Sequence, residues 1–290
     1  MLVLSAAGER FLQSAQLFSR SFFNTAYLTP SRDRYGAARD DGTHAPNWWW
    51  PVVAVRSSAV VGQQDALLNA ASVDCPARDR TVMEKLDVHI KDYDAHRQPL
   101  FEFLSNRSGL NISSAMDLGP IADYFELAPG AASIAWANES VREEAHEIWS
   151  DLQRRKYSFE DIVKAESGRL LYEVTSELQR KSTGQSQRVA SVYVTSRATL
   201  TAFERAMQVG TSDVFPYGSA IVLQLKRGAD GNFTVDMSRH QPDLHPYPKP
   251  LSLSIDELHE RVREYFLEND AQPMQLLVLQ VTSRHLLCRN

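Results

Sequence analysis

Val189-Ala190-Ser191-Val192-Tyr193-Val194-Thr195 is the stretch on which the fold turns. It is short, β-branched and aromatic, and it reads as a strand. What precedes it reads quite differently. Residues 78–164 carry helical spacing and little strand character. The clearest helix there runs from Ser140 to Lys156, with Val141, Ala145, Ile148, Trp149 and Leu152 on one face and Ser140 with Glu143 as a capping box. A second helix near Glu166 to Lys181 turns Leu170, Leu171, Val174 and Leu178 inward. Strand chemistry therefore resumes at Val189 after a long helical block.

Working outward, residues 8–23 read as an amphipathic helix with Phe11, Ala15, Phe18 and Phe22 on its stripe. Pro30 and the polar segment Ser31 to Asn47 interrupt it and read as an exposed loop. Trp48-Trp49-Trp50-Pro51 then leads into Val52-Val53-Ala54-Val55, a buried-strand candidate whose tryptophans suit core packing better than a ligand cage. Downstream, Ile221 to Lys226 and Asn232 to Met237 flank Gly228-Ala229-Asp230-Gly231, a hairpin with a strong Asp-Gly turn signal. Pro242 to Pro250 is proline-rich and extended. Ser254-Ile255-Asp256-Glu257 opens a helix with Ile255, Leu258, Val262 and Phe266 on its apolar face. The order is α/β, helical block, α/β again, which is the pattern of an α/β core carrying a helical insertion.

The 290 residues suit such an arrangement, and 43% hydrophobic content allows a sizeable core. A net charge of -5 gives no overall attraction to nucleic acid or anionic membrane, so any anion site must be local. No stretch approaches the ~20 apolar residues of a membrane span. Met1 to Ala7 lacks the basic and apolar regions of a signal peptide. Four sequons, at Asn106, Asn111, Asn138 and Asn232, fit N-glycosylation acceptors and suggest an exported ancestry. The two cysteines, Cys75 and Cys288, read either as buried thiols or as a pair closing a very long loop.

Seven segments, in order, resemble the histidine acid phosphatase family, the lysosomal and prostatic branch of the histidine phosphatases. Gly8-Glu9-Arg10-Phe11-Leu12-Gln13-Ser14-Ala15 is similar to the family's D-R-T-x-x-S-A helix start. Trp50-Pro51-Val52-Val53-Ala54-Val55 is similar to W-x-P-x-x-V, and Asp74-Cys75-Pro76 to N-C-P at the border of the helical cap. Gly168-Arg169-Leu170-Leu171 resembles the G-x-L-L of the helix returning from the cap. Val192-Tyr193 and Thr199-Leu200 flank the place of Y-S-x-H-D-x-T. Phe215-Pro216-Tyr217-Gly218-Ser219-Ala220 resembles P-P-Y-A-S, and His245-Pro246-Tyr247-Pro248 resembles H-x-P-Y-P.

The resemblance implies a doubly wound α/β sheet core from residues 1–77 and 165–290, with residues 78–164 as an inserted helical cap. It implies that Arg10 grips substrate phosphate, that Cys75 pairs with Cys288, that no cofactor is needed, and that the protein is secreted or lysosomal. It also defines what is missing. The family hydrolyses phosphomonoesters through a histidine nucleophile in R-H-G-x-R-x-P, a His-Asp pair that protonates the leaving alkoxide, and arginines that neutralise the phosphoryl oxygens. No Arg-His-Gly occurs in this sequence. The family's first strand would lie upstream of Met1, so the chain reads as truncated relative to the family, with a central sheet position expected to be empty. Unpaired strand edges would favour aggregation or pairing with a second copy, a homodimer.

The His-Asp pair is replaced by Ser196 and Arg197 within Tyr193-Val194-Thr195-Ser196-Arg197-Ala198-Thr199. Arginine does not release its proton at any working pH, so it cannot act as a general acid. Losing a general acid costs roughly 10²–10⁴ in rate, and losing the nucleophile as well removes the covalent route. Arg10 and Arg197 together could hold an anion, a phosphate or a phosphorylated small molecule, without turning it over; the alternative is that both are ordinary surface or salt-bridged arginines. His240 and His245 lack the further ligands a metal needs. His89 and His96 read as solvated helix residues, Arg154-Arg155-Lys156 as a basic helix end, and Glu143, Glu144 and Glu147 as favourable charges near a helix start. No G-x-S-x-G supports a serine hydrolase built on Ser14 or Ser196. Three functions stay open: a non-catalytic anion-binding relative, part of an active acid phosphatase, or an interaction glycoprotein that uses only the scaffold.

Overall fold

The computed structural model describes residues 1–27, 54–60, 63–128, 134–208, 214–241 and 251–267. The protein is mixed α/β. Among the described residues the strands form two three-stranded sheets. The first is parallel, in the order β2-β1-β3, from β1 (Leu2–Ser5), β2 (Val55–Ser57) and β3 (Ser191–Val194). Leu4 lies opposite Tyr193 in this register, and both pack against the same apolar cluster. On alternate positions of β1, Val3 and Ser5 are buried. β1 is hydrogen-bonded on both sides, to β2 and to β3. The strand read at Val189 to Thr195 is present in shortened form. The strand expected from Val52 begins at Val55, and Val52, Val53 and the three tryptophans lie outside the described residues.

Helix α1 (Glu9–Tyr27) follows β1 after a turn at Gly8, whose φ of +125° is one that side chains rarely adopt. It packs on all three strands of the first sheet. Its stripe is less buried than its spacing predicts. Ala15 is fully buried, but Phe18 and Phe22 are 44% and 55% exposed and stack on each other at 5.6 Å between ring centroids.

Among the described residues, five α-helices lie between β2 and β3: α2 (Pro76–His96), α3 (Gln98–Ser108), α4 (Gly119–Leu127), α5 (Glu139–Lys156) and α6 (Glu160–Ser182). Pro76 opens α2 where its missing N–H costs nothing, and Gly109 ends α3 in the left-handed region. α5 is capped by Asn138, whose side chain accepts the Val141 amide at 2.9 Å, two residues before the Ser140 cap read from the sequence. Val82, Leu86, Ile90, Phe101, Leu104, Ala145, Ile148, Leu152 and Ile162 join one apolar cluster drawn wholly from this helical stretch. A second cluster joins Ala6, Leu68, Leu170, Leu171, Val174, Phe203, Val235, Leu258 and Val262. Helix α6 contributes to both and is the shared wall.

Helix α7 (Arg197–Ala206) follows β3 and packs on α6. The antiparallel second sheet, in the order β4-β5-β6, comprises β4 (Ala220–Arg227), β5 (Phe233–His240) and β6 (Leu251–Ser254). The hairpin read from Asp-Gly is the β4–β5 pair, with Gly231 at φ +85° in its turn. Helix α8 (Ile255–Val262) starts at the capping box of Ser254 and Glu257 and covers this sheet. No helix among the described residues is long and apolar enough to cross a membrane.

Candidate functional site

In a parallel sheet with helical crossovers, the carboxyl ends of the strands are where ligand sites form. β1, β2 and β3 all end at one edge, and the chain is tied together there by short bonds. The Ala6 amide donates to Val194 O at 2.8 Å, and the Ser58 amide to Ser5 O at 2.9 Å. The segment around Asp65 crosses this edge. Asp65 is only 4% exposed, and its carboxylate accepts from four donors: the amides of Ala7 (2.9 Å), Leu67 (3.2 Å) and Leu68 (2.9 Å), and the Ser58 hydroxyl. The Leu68 carbonyl in turn accepts from the Thr195 hydroxyl and the Ser196 amide. Asp65 therefore holds the ends of β1, β2 and β3 in mutual position. Sequence reasoning passed over it. Its available signal is an Asp whose side chain can cap amides two and three residues on, the local habit of Asx turns.

Two of the segments that sequence reading joined follow strands that end at this edge. Arg10 is the second residue of α1, which leaves β1 here, and Ser196-Arg197 opens α7, which leaves the adjacent β3. Arg10 is exposed, and its guanidinium stands over the Phe11 ring at 4.7 Å. Its carbonyl accepts from the Ser14 hydroxyl at 2.9 Å, which occupies that serine locally. No ion pair to Arg10 forms among the described residues.

Ser196 is the N-cap of α7. Its Oγ accepts the Thr199 amide at 3.2 Å and donates to Thr199 Oγ1 at 3.1 Å, so the hydroxyl is committed to the helix end. Arg197 is more tightly held. Its side chain is 17% exposed and donates to Glu126 Oε2 at 2.6 Å and to Asp123, both on α4. The guanidinium also covers the Tyr217 ring at 4.6 Å, and Glu126 Oε1 accepts the Tyr217 amide at 2.8 Å. Burial alone would lower the Arg197 pKa, but Asp123 and Glu126 outweigh it and raise it. A cation in the first turn of a helix opposes the macrodipole; the two carboxylates offset that. Arg197 is thus ion-paired in this structure, with Asp123 and Glu126 as its counter-charges. Asp123 and Glu126 lie some seventy residues away in sequence, so no local spacing could reveal them.

A second buried polar group lies at the foot of the helical stretch. Glu166 is 1% exposed, accepts from Tyr157 OH at 2.9 Å and sits 2.7 Å from Lys156 Nζ. Burial, then Glu166, pushes the Tyr157 pKa well up, while Arg78 and Arg197 act on it in the opposite sense. Arg78 is buried at the start of α2 and donates to the carbonyls of Ala70 (2.8 Å) and Val73 (3.0 Å). Glu166 Oε2 is hydrogen-bonded to Tyr157, while its buried Oε1 has the Lys156 ion pair and no hydrogen bond among the described residues.

The remaining sequence candidates fall elsewhere. His240 lies on β5 with Nε2 2.9 Å from Ser238 Oγ, and His245 lies outside the described residues. His89 Nε2 faces Arg155 NH1 at 3.1 Å, and His96 bonds back to Asp92 O on its own helix. Arg155 pairs with Asp151 at 2.6 Å, and Glu144 with Arg97 at 2.9 Å. Cys75 is fully buried at the cap of α2, while Cys288 lies outside the described residues. The described segments at the sheet edge contain no histidine.

No family model matches the chain. It is 23% identical over 214 residues to the lysosomal acid phosphatase of Homo sapiens, a match covering 71% of this chain and 50% of that protein. The lysosomal acid phosphatase of Pongo abelii matches to the same extent, 23% over 214 residues. The chain thus spans about half the length of the curated relatives it matches, and the likeness supports a distant acid phosphatase-like relationship.

Proposed function

We propose that this chain is a histidine acid phosphatase-like protein that does not hydrolyse phosphomonoesters by the family's route, and that its residual anion contact is Arg10. In this reading residues 1–77 and 165–290 are a doubly wound phosphatase-like core, and residues 78–164 are its inserted cap. The observation that carries it is the state of Ser196 and Arg197. The serine hydroxyl caps its own helix, and the guanidinium is clamped by Asp123 and Glu126 where a proton donor would be needed. Neither group can protonate a leaving alkoxide. Arg10, exposed at the same sheet edge, keeps a guanidinium available for an anion. A lysosomal or secreted location is part of this reading, supported by the lysosomal naming of the relatives.

The test is direct. Purified protein assayed with a chromogenic phosphate ester at acid pH should give the background rate. Inorganic phosphate at millimolar concentration should raise the melting temperature, and Arg10→Ala should abolish that rise. Robust turnover by the 290-residue chain would overturn the first statement, and an unchanged phosphate shift in Arg10→Ala the second.

A second reading has one observation in its favour, the match to only half the length of the relatives. In it, these residues are part of a longer acid phosphatase that supplies R-H-G-x-R-x-P from sequence not included here. Phosphohistidine trapped in the longer transcript's product would support it.

A further inference from the structure

The chain between α6 and β3 has no regular structure from residue 183 to residue 190. It is held at both ends. At the start, Arg180 O accepts the amides of Gln185 (2.8 Å) and Ser186 (3.0 Å), and Lys181 O accepts that of Gly184 (3.2 Å). At the finish, the Leu2 amide donates to Ala190 O at 3.0 Å, where the β1–β3 pairing begins. Between these points the main chain is open. Gln187, Arg188, Val189 and Ala190 are exposed, Val189 at 89%. No hydrogen bond reaches the amide or carbonyl of Gln187 or Val189 among the described residues.

Arg188 is singular in this position. Of the lysines and arginines among the described residues, only Arg97 and Arg188 lie outside helices and strands, and Arg97 is the single residue between α2 and α3. An endopeptidase pairs with main-chain groups on both sides of the bond it cuts. Helices and strands commit those groups to their own ladders, and exposed loops leave them available. One side chain restrains the loop. Glu177 on α6 accepts from the Ser186 hydroxyl with Oε1, and from Arg180 NH2 (2.8 Å) and Arg188 NH1 (3.3 Å) with Oε2. The Arg188 amide donates to Ser186 Oγ at 3.3 Å. The Arg188 side chain is 44% exposed and shares its carboxylate with Arg180, so the hold on it is light.

We propose that the Arg188–Val189 bond is a cleavage site for an endopeptidase with an acidic pocket for arginine, and that Glu177 restrains it. Water adds across the bond, its hydroxyl going to the Arg188 carbonyl carbon and a proton to the Val189 nitrogen. The two pieces stay together, because β3 remains paired with β1 and α7 remains packed on α6. The product is a two-chain protein with a new amino group just ahead of β3. The proposal is independent of whether phosphate esters are hydrolysed.

The experiment is limited digestion of the folded full chain with trypsin, read by intact mass and by sequencing of the new amino termini. Among cuts after the lysines and arginines of the described residues, the one that exposes Val189-Ala190-Ser191 should come first, and its two pieces should co-elute on gel filtration. Arg188→Gln should remove that cut with little change in melting temperature. Glu177→Gln should speed it about two- to fivefold, the range that loss of a surface ion pair allows. An earlier cut at another of these lysines or arginines, or pieces that separate, would overturn the site. An unchanged rate in Glu177→Gln would overturn the restraint.

Discussion

Glu126 on α4 reaches Arg197 on α7 with one carboxylate oxygen, at 2.6 Å, and the Tyr217 amide with the other, at 2.8 Å. One side chain thus ties the helical stretch to the start of α7 and to the loop before β4. α4 otherwise packs against α5 and the 3-10 turn Ala115–Leu118, all within the helical stretch. Arg197 is thereby a fastening between α4 and the start of α7.

Removing that fastening should be visible in stability. Arg197→Ala leaves Asp123 and Glu126 facing each other without a counter-ion. Breaking a fully buried pair costs about 3–5 kcal/mol. Asp123 is 38% exposed, so solvent screens part of the loss, and about 1–3 kcal/mol is expected. Arg197→Lys should recover only part, because an ammonium cannot present two parallel N–H donors. Urea midpoints at constant slope check both. An Arg197→Ala variant as stable as the parent would mean that the two carboxylates find water just as readily.

Asp65 should be the most sensitive acidic residue at the sheet edge. In Asp65→Asn one acceptor oxygen becomes an NH₂ facing N–H or O–H donors in a buried site. Leaving such donors unsatisfied costs about 1–3 kcal/mol. Asp87→Asn is the control. Asp87 pairs with Lys91 one helical turn away on an open face, and such surface pairs contribute about 0–1 kcal/mol. Equal losses in thermal unfolding would remove Asp65 from its organising role.

The buried tyrosines predict an alkaline limit. Burial raises the Tyr193 pKa from 10.0 to about 12, and Tyr157 is raised well above 10.0 by burial and then by Glu166. The folded state therefore holds these protons where the unfolded chain releases them. Stability is fully present below pH 10 and falls as pH rises through the folded values. The slope is about 1.4 kcal/mol per pH unit for each such group. Tyr193→Phe should flatten the fall between pH 10 and 12. Tyr157→Phe should flatten it too, but lowers stability at neutral pH by removing the donor to Glu166. An unchanged pH profile in Tyr193→Phe would contradict the assignment.

Cys75 and Cys288 are expected to pair, as the family resemblance implies. Non-reducing peptide mapping should join the peptides that contain them. Reduction should destabilise by about 4–5 kcal/mol, the loop-entropy figure for a closed loop this long. Two separate thiol peptides after alkylation would rule the pairing out.

What the sequence made legible were features encoded by neighbours. Turn and cap signals placed the β4–β5 hairpin and the Ser254–Glu257 capping box where the structure has them, and period found α6, which begins at Glu160, six residues before the start read from the sequence. The order of motifs set Arg10 and Ser196-Arg197 each just after a strand, and those two strands, β1 and β3, are parallel neighbours. Illegible were interactions set by distant partners. Nothing near Arg197 announces Asp123 or Glu126, and nothing near Ala7 announces Asp65. The Phe18 and Phe22 stripe misled because helical spacing shows which residues share a face, not whether another element covers that face.

Gly168 supplies the most pointed test of how α6 meets the segment after α8. Within a helix, replacing glycine by alanine is favourable by about 0.5–1 kcal/mol. Here the opposite is expected. A Cβ at 168 would run into the Tyr265 carbonyl oxygen and lie 2.9 Å from Leu267 Cγ. A leucine side chain can rotate away, but a backbone carbonyl moves only with the 3-10 turn Arg263–Tyr265 that carries it. Overpacking of this kind costs about 1–3 kcal/mol and exceeds the propensity gain. Gly168→Ala should therefore lower the unfolding midpoint, and Gly184→Ala, where a Cβ meets nothing but the φ of +76° opposes alanine, serves as the purely conformational comparison. A Gly168→Ala protein more stable than the parent would show that propensity governs and that α6 does not pack this closely against Tyr265.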